Sequence, residues 1–561
     1  MASLMQPHLP APERAVATLT THHGRNALTL ADCQPAAVAP GLSRLFNDFC
    51  ANSSALRSFY GFAPFDPAWQ LRPALPAHWP ALVDLLAAQN PNATVSIDAL
   101  RSGAGTVLTG QQVGLFGGPL FVPFKAATAL GRARRATESG HPHVGIFWLA
   151  SEDHDFAEIN HVSFPARREL RKLVYDNSPA APVPVGNVVI DDTIKPLLEQ
   201  AWELVGFSDA MQALEAAYQP GRTFAQAFAE FYSKVFAAQG LLVFDAASRA
   251  VHALGAPVLQ AAIERADEFH VALEERNRTL IAAGYHAQVA VTSGSSLLFL
   301  LDSKTGARVA LKRQPASAAE PAGLWQAGRD RYTTADLIGI LAAEPERISP
   351  AALLRPVFQD HLFGTSLTIG GPAEIAYFAQ SAVLFHKILG RQTHAEPRFS
   401  ATLIEPAIAD LLKKHELTLE RVFAESEDSL AQLLAARSMP VEGKRKLAAA
   451  GNALDAELTP LLDYMNSLDA GLGRSANTAA SKMRYQMNRL RRLAANFQLQ
   501  REDSLRRHAR AIFTALYPGG VLQERTHGAA FYLARHGFEL TERLTAQATE
   551  SCCSTHTALW L

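Results

Sequence analysis

Cysteine is scarce: Cys33, Cys50, Cys552 and Cys553 are the four among 561 residues. They form no CxxC pair and no Cys/His spacing that suits zinc, so no metal ligands are assigned, and a chain this long needs no disulfide frame. The adjacent Cys552 and Cys553 read as a terminal tail without a role. Net charge is also scarce. Lys and Arg number 52 against 53 Asp and Glu, a formal charge of −1, so nothing global attracts nucleic acid or an anionic membrane. No window of about 18 residues is unbrokenly apolar, so no membrane span is expected. The opening MASLMQPHLPAPERAVATL lacks the cationic-then-apolar order of a secretory signal, and the cytoplasm is the expected location.

What is present is a long chain with 48% hydrophobic and 19% charged residues, enough for several globular domains. Residues 1–40, rich in Ala, Pro and His, read as a loosely ordered extension. Helical spacing covers Leu42–Tyr60 and Pro80–Gln89. Short apolar strands are expected at Thr106–Thr109, Val144–Ala150, Leu241–Asp245 and Leu367–Ile369, several of them followed by Gly or acidic residues and then a helix. This alternation predicts an α/β fold with a Rossmann-like parallel sheet, whose ligands sit outside the carboxyl ends of the strands. The expected core parts are 41–164, 236–284 and 350–405. Insertions are expected at 165–235 and 285–349, the second with strands at Ala287–Val291 and Leu297–Leu301. A helical arm follows over 406–515, then a C-terminal segment over 516–561. In the arm, Leu447, Leu454, Leu461 and Leu468 recur by sevens, and Met483, Met487, Leu490, Ala494 and Phe497 alternate fours and threes. They predict an antiparallel coiled coil joined at Gly471–Gly473, interrupted or kinked at Pro460, and suited to forming a homodimer.

Three constellations carry chemistry. The first is Thr109-Gly110-Gln111-Gln112-Val113-Gly114-Leu115-Phe116-Gly117-Gly118-Pro119, where glycines let backbone approach a ligand and a helix start offers N–H groups to an anion. It is neither a Walker A loop nor GxGxxG. The second is Ser151-Glu152-Asp153-His154-Asp155, with Glu158 and His161 beyond: crowded acids beside an imidazole at a strand end, suited to acid–base work, Mg²⁺ or an amine substrate. The bland alternative is a solvated, helix-capping loop. The third is Gly370-Gly371-Pro372-Ala373-Glu374, with Tyr377 a turn later and Arg355 and Asp360 upstream. A basic run, Lys482 to Arg492, reads as the charged flank of the coiled coil and not as a nucleic-acid surface.

Taken in order, TGQQVGLFGGPLF, FWLASEDHDFAEINHV, LRPVFQDHLF, GGPAEIAYFAQ, FSATLIEP and LYPGGVLQER resemble the bacillithiol biosynthesis cysteine-adding enzymes over roughly residues 40 to 540. The resemblance implies a core akin to class I aminoacyl-tRNA synthetases and nucleotidyltransferases, with two inserted subdomains and a dimerising C-terminal coiled coil. It implies ligation of L-cysteine, through its carboxyl group, to the amine of glucosaminyl-malate. It also implies a bound ADP, with ATP as the related cofactor, beside the coiled coil. Substrate-binding positions then fall on Thr109, Gly110, Gln111, Gln112, Gly117, Gly118, Gly370, Gly371 and Glu374. Catalytic positions fall on Glu152, Asp153, His154 and Asp155, with His154 or Asp155 taking a proton from the amine. Nucleotide-binding positions fall on Pro518, Gln523, Glu524 and Arg525. The chain lacks the HxGH and KMSKS sequences of class I synthetases, and Val291–Ser295 departs from the family pattern. The rival readings are a nucleotidyltransferase with another substrate and a non-catalytic nucleotide-binding scaffold built on the coiled coil.

Overall fold

The computed structural model describes residues 20–21, 42–166, 169–314, 324–551 and 555–561. The extension expected over 1–40 lies outside them except for Thr20 and Thr21, and Cys33, Cys552 and Cys553 lie outside them too. The chain divides into two compact units. One takes the residues up to Phe164, then Arg171–Thr402 and Glu524–Thr557; the other takes Pro165–Leu170, Leu403–Gln523 and Ala558–Leu561.

The first unit is built on a five-stranded parallel sheet. In chain order its strands are β1 (Gly105–Gln111), β2 (His143–Leu149), β3 (Leu242–Asp245), β4 (Leu367–Gly370) and β5 (His394–Pro397), and they lie side by side as β5-β4-β1-β2-β3. Every residue of β2 is buried, as a central parallel strand covered on both faces must be. Neighbouring residues of β1 feed opposite faces: Val107 packs with Ala129, Ala133, Leu367 and Ile369, while Leu108 packs with Ile146 and Trp148. Helix α1 (Phe121–Glu138) makes the β1–β2 crossover and is buried almost continuously from Val122 to Ala133. Burial of each Leu, Ile or Phe in such layers contributes about 1.5–3 kcal/mol. Strand β5, which reads His-Ala-Glu-Pro, was not expected from the sequence; its lack of an apolar run suits a sheet edge.

Chain order runs outward from β1 in both directions, to β2 and β3 on one side and to β4 and β5 on the other. The reversal falls between β1 and β4, where an open α/β sheet leaves a crevice. Only the last two residues of β1, Gly110 and Gln111, lose full burial, and they lie at this crevice.

The second insertion forms a five-stranded antiparallel sheet from 295–301, 308–314, 324–327, 330–332 and 348–350. Ala287–Val291 is not a strand in it. The Gln380 side chain accepts from the Val289 N–H and donates to its carbonyl, at 2.9 Å each, and so supplies what a ladder would. The helix expected over Leu42–Tyr60 ends at Cys50, where Asn52 turns left-handed (φ 51°).

In the second unit, α6 (Val441–Leu468) and α7 (Ala470–Arg501) pair closely. In the first unit, α2 (Phe224–Val235) and α3 (Arg249–Glu264) flank β3 in sequence, and α4 (Arg355–Phe363) and α5 (Pro372–Leu389) flank β4. Helix α6 passes through Pro460 without interruption, but its inner seam shifts there: Leu458 and Leu462 are buried, whereas Leu461 and Leu468 face outward. The link is not the Gly471–Gly473 run. Asp469 is extended and caps α7, accepting from the N–H groups of Gly471 (2.7 Å) and Leu472 (2.8 Å). Gly473 instead lets the arms approach, since a β-carbon there would run into the Asn466 side chain and stand 3.1 Å from its Cα.

Candidate functional site at the strand ends

A cavity of about 280 Å³ opens at the carboxyl ends of β4, β1 and β2. Its lining includes Thr109, Gly110, Gln111 and Gln112 from the end of β1, and Asp153 and Glu158 from beyond β2. Gly371, Glu374 and Tyr377 come from the start of α5, together with Lys125, Arg355, Arg398 and Arg525. The first and second motifs therefore meet. The Gln112 Nε2 donates to Asp153 (2.7 Å) and to Glu158 (2.8 Å), bridging two carboxylates. Gly110 is required where it stands: a β-carbon would lie 2.8 Å from the Trp148 carbonyl on β2. Thr109 donates from Oγ1 to the Ile369 carbonyl (3.0 Å), tying β1 to β4 beneath the cavity.

Burial alone would raise the Asp153 carboxyl. The Gln112 amide, the His154 N–H (2.7 Å) and the Arg308 charge outweigh it and hold the group below its ordinary value, so it is an anion at neutral pH. Its neighbour Glu152 turns the other way. It is likewise held low against burial, by His252, whose Nε2 lies 2.8 Å from it in a buried ion pair. His154 rests against Phe299 (ring centroids 5.4 Å) with its Nδ1 3.3 Å from Arg308, and Asp155 is exposed, capping the short helix Phe156–Ile159 through the Glu158 N–H (3.3 Å). Of the four expected catalytic residues, then, Asp153 alone lines the cavity.

The first glycine turn is folded into itself. Gly117 donates to the Tyr218 hydroxyl (3.1 Å) and accepts from the Tyr232 hydroxyl (2.8 Å). The N–H of Gly118 goes to Leu115, and that of Gly114 to Gln112. These amides are spent before any anion arrives, and neither Gly117 nor Gly118 lines the cavity. At the third motif Gly370 ends β4, while Glu374 reaches back to the Gly371 N–H (2.7 Å) and pairs with Lys125.

Lys125 escaped the sequence reading because it stands alone in the apolar opening turns of α1. It is 2% exposed and donates to the Gly110 carbonyl (2.7 Å) and the Gln111 Oε1 (3.0 Å). Burial pulls its ammonium below the ordinary value, and Glu374 only partly restores it. Arg398, just past β5, went unnoticed for the same reason that β5 did; it holds Glu524 at 2.5 Å. Arg308, which steadies Asp153 and His154, comes from the antiparallel sheet.

Among the expected nucleotide positions, Arg525 lines this cavity. Glu524 is buried and consumed by Arg398, Ser400 and the Ala401 N–H. In the second unit Gln523 spends its amide on the Leu403 and Ala515 carbonyls and the Leu403 N–H, and Pro518 opens a short turn. Among the described residues no group of three His, Cys, Asp or Glu could hold a metal ion, and no helix is long and apolar enough to cross a membrane.

Two family models match the chain: "Bacillithiol biosynthesis BshC, N-terminal Rossmann-like domain" over residues 32–393, and the corresponding "C-terminal coiled-coil domain" over residues 401–557. Relatives named "Putative cysteine ligase BshC" align over nearly their full length. The protein of Koribacter versatilis is 39% identical over 92% of this chain and 97% of its own. That of Solibacter usitatus is 33% identical over the same shares, and that of Salinibacter ruber 30% identical over 91% and 95%. The Rossmann-like sheet, the paired helices and these matches agree, and the chain belongs to the BshC family of bacillithiol biosynthesis.

Proposed function

We propose that this chain is a carbon–nitrogen ligase that joins L-cysteine, through its carboxyl group, to the amine of glucosaminyl-malate, and that the strand-end cavity is where it does so. The observation that carries this reading is the two-signed lining of one cavity at the switch point. Acids and an amide (Gln112, Asp153, Glu158) stand on the β1–β2 side, and Lys125, Arg355, Arg398 and Arg525 gather with α5 and β5. Both substrates carry amines and carboxylates, and a cavity of one sign would repel half of each.

In the reaction the amine nitrogen bonds to the cysteine carboxyl carbon, a carboxyl C–O bond breaks, and the displaced oxygen leaves, as water overall, with the two protons that the ammonium nitrogen sheds. Asp153 and Glu158, held in place by Gln112, orient the attacking amine and accept its proton. His154 positions Asp153 from behind, and Asp155 holds the helix that carries Glu158. The thiol belongs to the substrate, so no cysteine of the chain is needed. A nucleoside triphosphate would supply activation of the carboxylate. Of the residues expected to hold it, Gln523 and Glu524 have their polar groups committed, whereas Arg525 lines the cavity.

The test is to incubate the protein with cysteine, glucosaminyl-malate and ATP, weigh the products by mass spectrometry, and omit each reagent in turn. The amide mass should depend on both cysteine and glucosaminyl-malate and fall about a hundredfold in Asp153→Asn. Normal turnover in that variant refutes the site. A homodimer through α6 and α7 belongs to the same reading: Tyr464, Leu468, Leu490, Leu493 and Phe497 stand outward and exposed. Leu490→Glu with Leu493→Glu should halve the mass seen by light scattering; an unchanged mass refutes it.

A further inference from the structure

We propose that Arg355 and Arg525 form a dicarboxylate-binding subsite that seats the malyl group of the acceptor; this assignment rests on the acceptor named above. The four cations of the cavity are not equivalent. Lys125 is engaged by Glu374, Gly110 and Gln111. Arg398 is engaged by Glu524 and by the Phe399 carbonyl (2.9 Å). Arg355 opens α4 with its guanidinium against the Tyr377 hydroxyl (3.2 Å), a neutral partner whose pKa burial pushes up to about 12. No carboxylate lies within ion-pair distance of Arg355 among the described residues. Arg525 stands exposed at the rim, with Arg398 and Glu524 as its charged neighbours, and no ion pair engages it among the described residues.

Charge in a cleft needs a counter-ion, and here the deficit is of anions. The lining carboxylates answer it only from a distance: Asp153 and Glu374 attract Arg355 from beyond ion-pair range, while their own hydrogen bonds go to Gln112 and to Lys125 and the Gly371 N–H. Guanidinium groups match carboxylates in shape and donor spacing, and two of them around one cavity suit a ligand with two carboxylates. Phosphate offers the same chemistry, so the experiment must separate the two sources. In this subsite, side chains rather than glycine-turn N–H groups meet the anion.

The full-length protein and its Arg525→Gln and Arg355→Gln variants are assayed with glucosaminyl-malate and with methyl glucosaminide, which keeps the amine and lacks the acids. Binding of free malate and of ADP is measured by calorimetry. Arg525→Gln should raise the KM for glucosaminyl-malate about tenfold or more and weaken malate binding equally. It should leave kcat, the KM for cysteine and the KM for methyl glucosaminide within about twofold. Arg525 is at the rim, so its loss does not threaten folding; Arg134→Gln, an exposed pair with Glu542, is the control. Equal effects on both acceptors, or weakened ADP binding with malate binding intact, overturn the proposal. If the unmodified protein makes no amide at all, the function reading fails, and the malate titration alone decides the subsite.

Discussion

The chain builds strand, glycine turn and helix twice around the crevice, after β1 and after β4, and the two turns end in opposite states. After β1, Gly114–Gly118 closes on itself and on Tyr218 and Tyr232. After β4, Gly371 faces the cavity, and its helix start is answered by Glu374 and Lys125. Similar motifs thus do different work. The first glycine run is packing, and the ligand-facing chemistry there lies just before it, at Thr109–Gln112. A glycine-rich turn binds an anion only if its N–H groups are still free; here the buried Tyr218 hydroxyl takes the Gly117 N–H, and carbonyls of the turn itself take those of Gly114 and Gly118.

The largest effect should follow from Lys125→Met. It leaves the Glu374 carboxylate without its cation at the open turn, and kcat/KM should fall about a hundredfold or more, with a loss of stability of about 3–5 kcal/mol in urea titration. The closed turn should behave in the reverse way. Tyr218→Phe with Tyr232→Phe removes both hydroxyls and should cost about 1–3 kcal/mol per buried group left unpaired, with kcat/KM within about threefold. Equal kinetic damage from both changes would erase the distinction between the turns.

Behind the open turn, His556 is held between Ser400 and Thr402 at 2.8 Å each, and burial depresses its pKa to about 4. The fold therefore holds a neutral imidazole. Its contribution is complete above the ordinary value near 6.5 and is lost as pH falls from there toward 4. His556→Gln should flatten the stability profile across that window; an unchanged slope contradicts the assignment. The smallest effect should come from Asp155→Ala. Losing the cap of a four-residue helix costs about 1 kcal/mol, and the rate should fall only a few-fold through the loosened Glu158.

The sheet was legible because four of its strands are apolar runs followed closely by Gly or acid: β1 to β4 were expected within two residues of where they lie. Strand β5 was not, and Arg398 was hidden with it. The meeting of Gln112 with Asp153 follows from adjacent parallel strands and was foreseeable. The orientation of consecutive acids was not. Glu152, Asp153 and Asp155 go to an ion pair, the cavity and a cap, and what separates them is the location of His252 and Arg308, far along the chain. The hairpin seam failed at Leu461 and Leu468, where the inner face shifts to Leu462 just past Pro460.

In the proposed reaction the acceptor lies between Gln112 and Glu374 at the strand ends. The most direct measurement is a crystal structure of the protein soaked with glucosaminyl-malate. Its amine should lie within hydrogen-bond distance of Asp153 or Glu158 and its carboxylates on Arg355 and Arg525. Density for the ligand in the hollow of the helical unit lined by Arg507, His508 and Arg510, with the strand-end cavity empty, would contradict it.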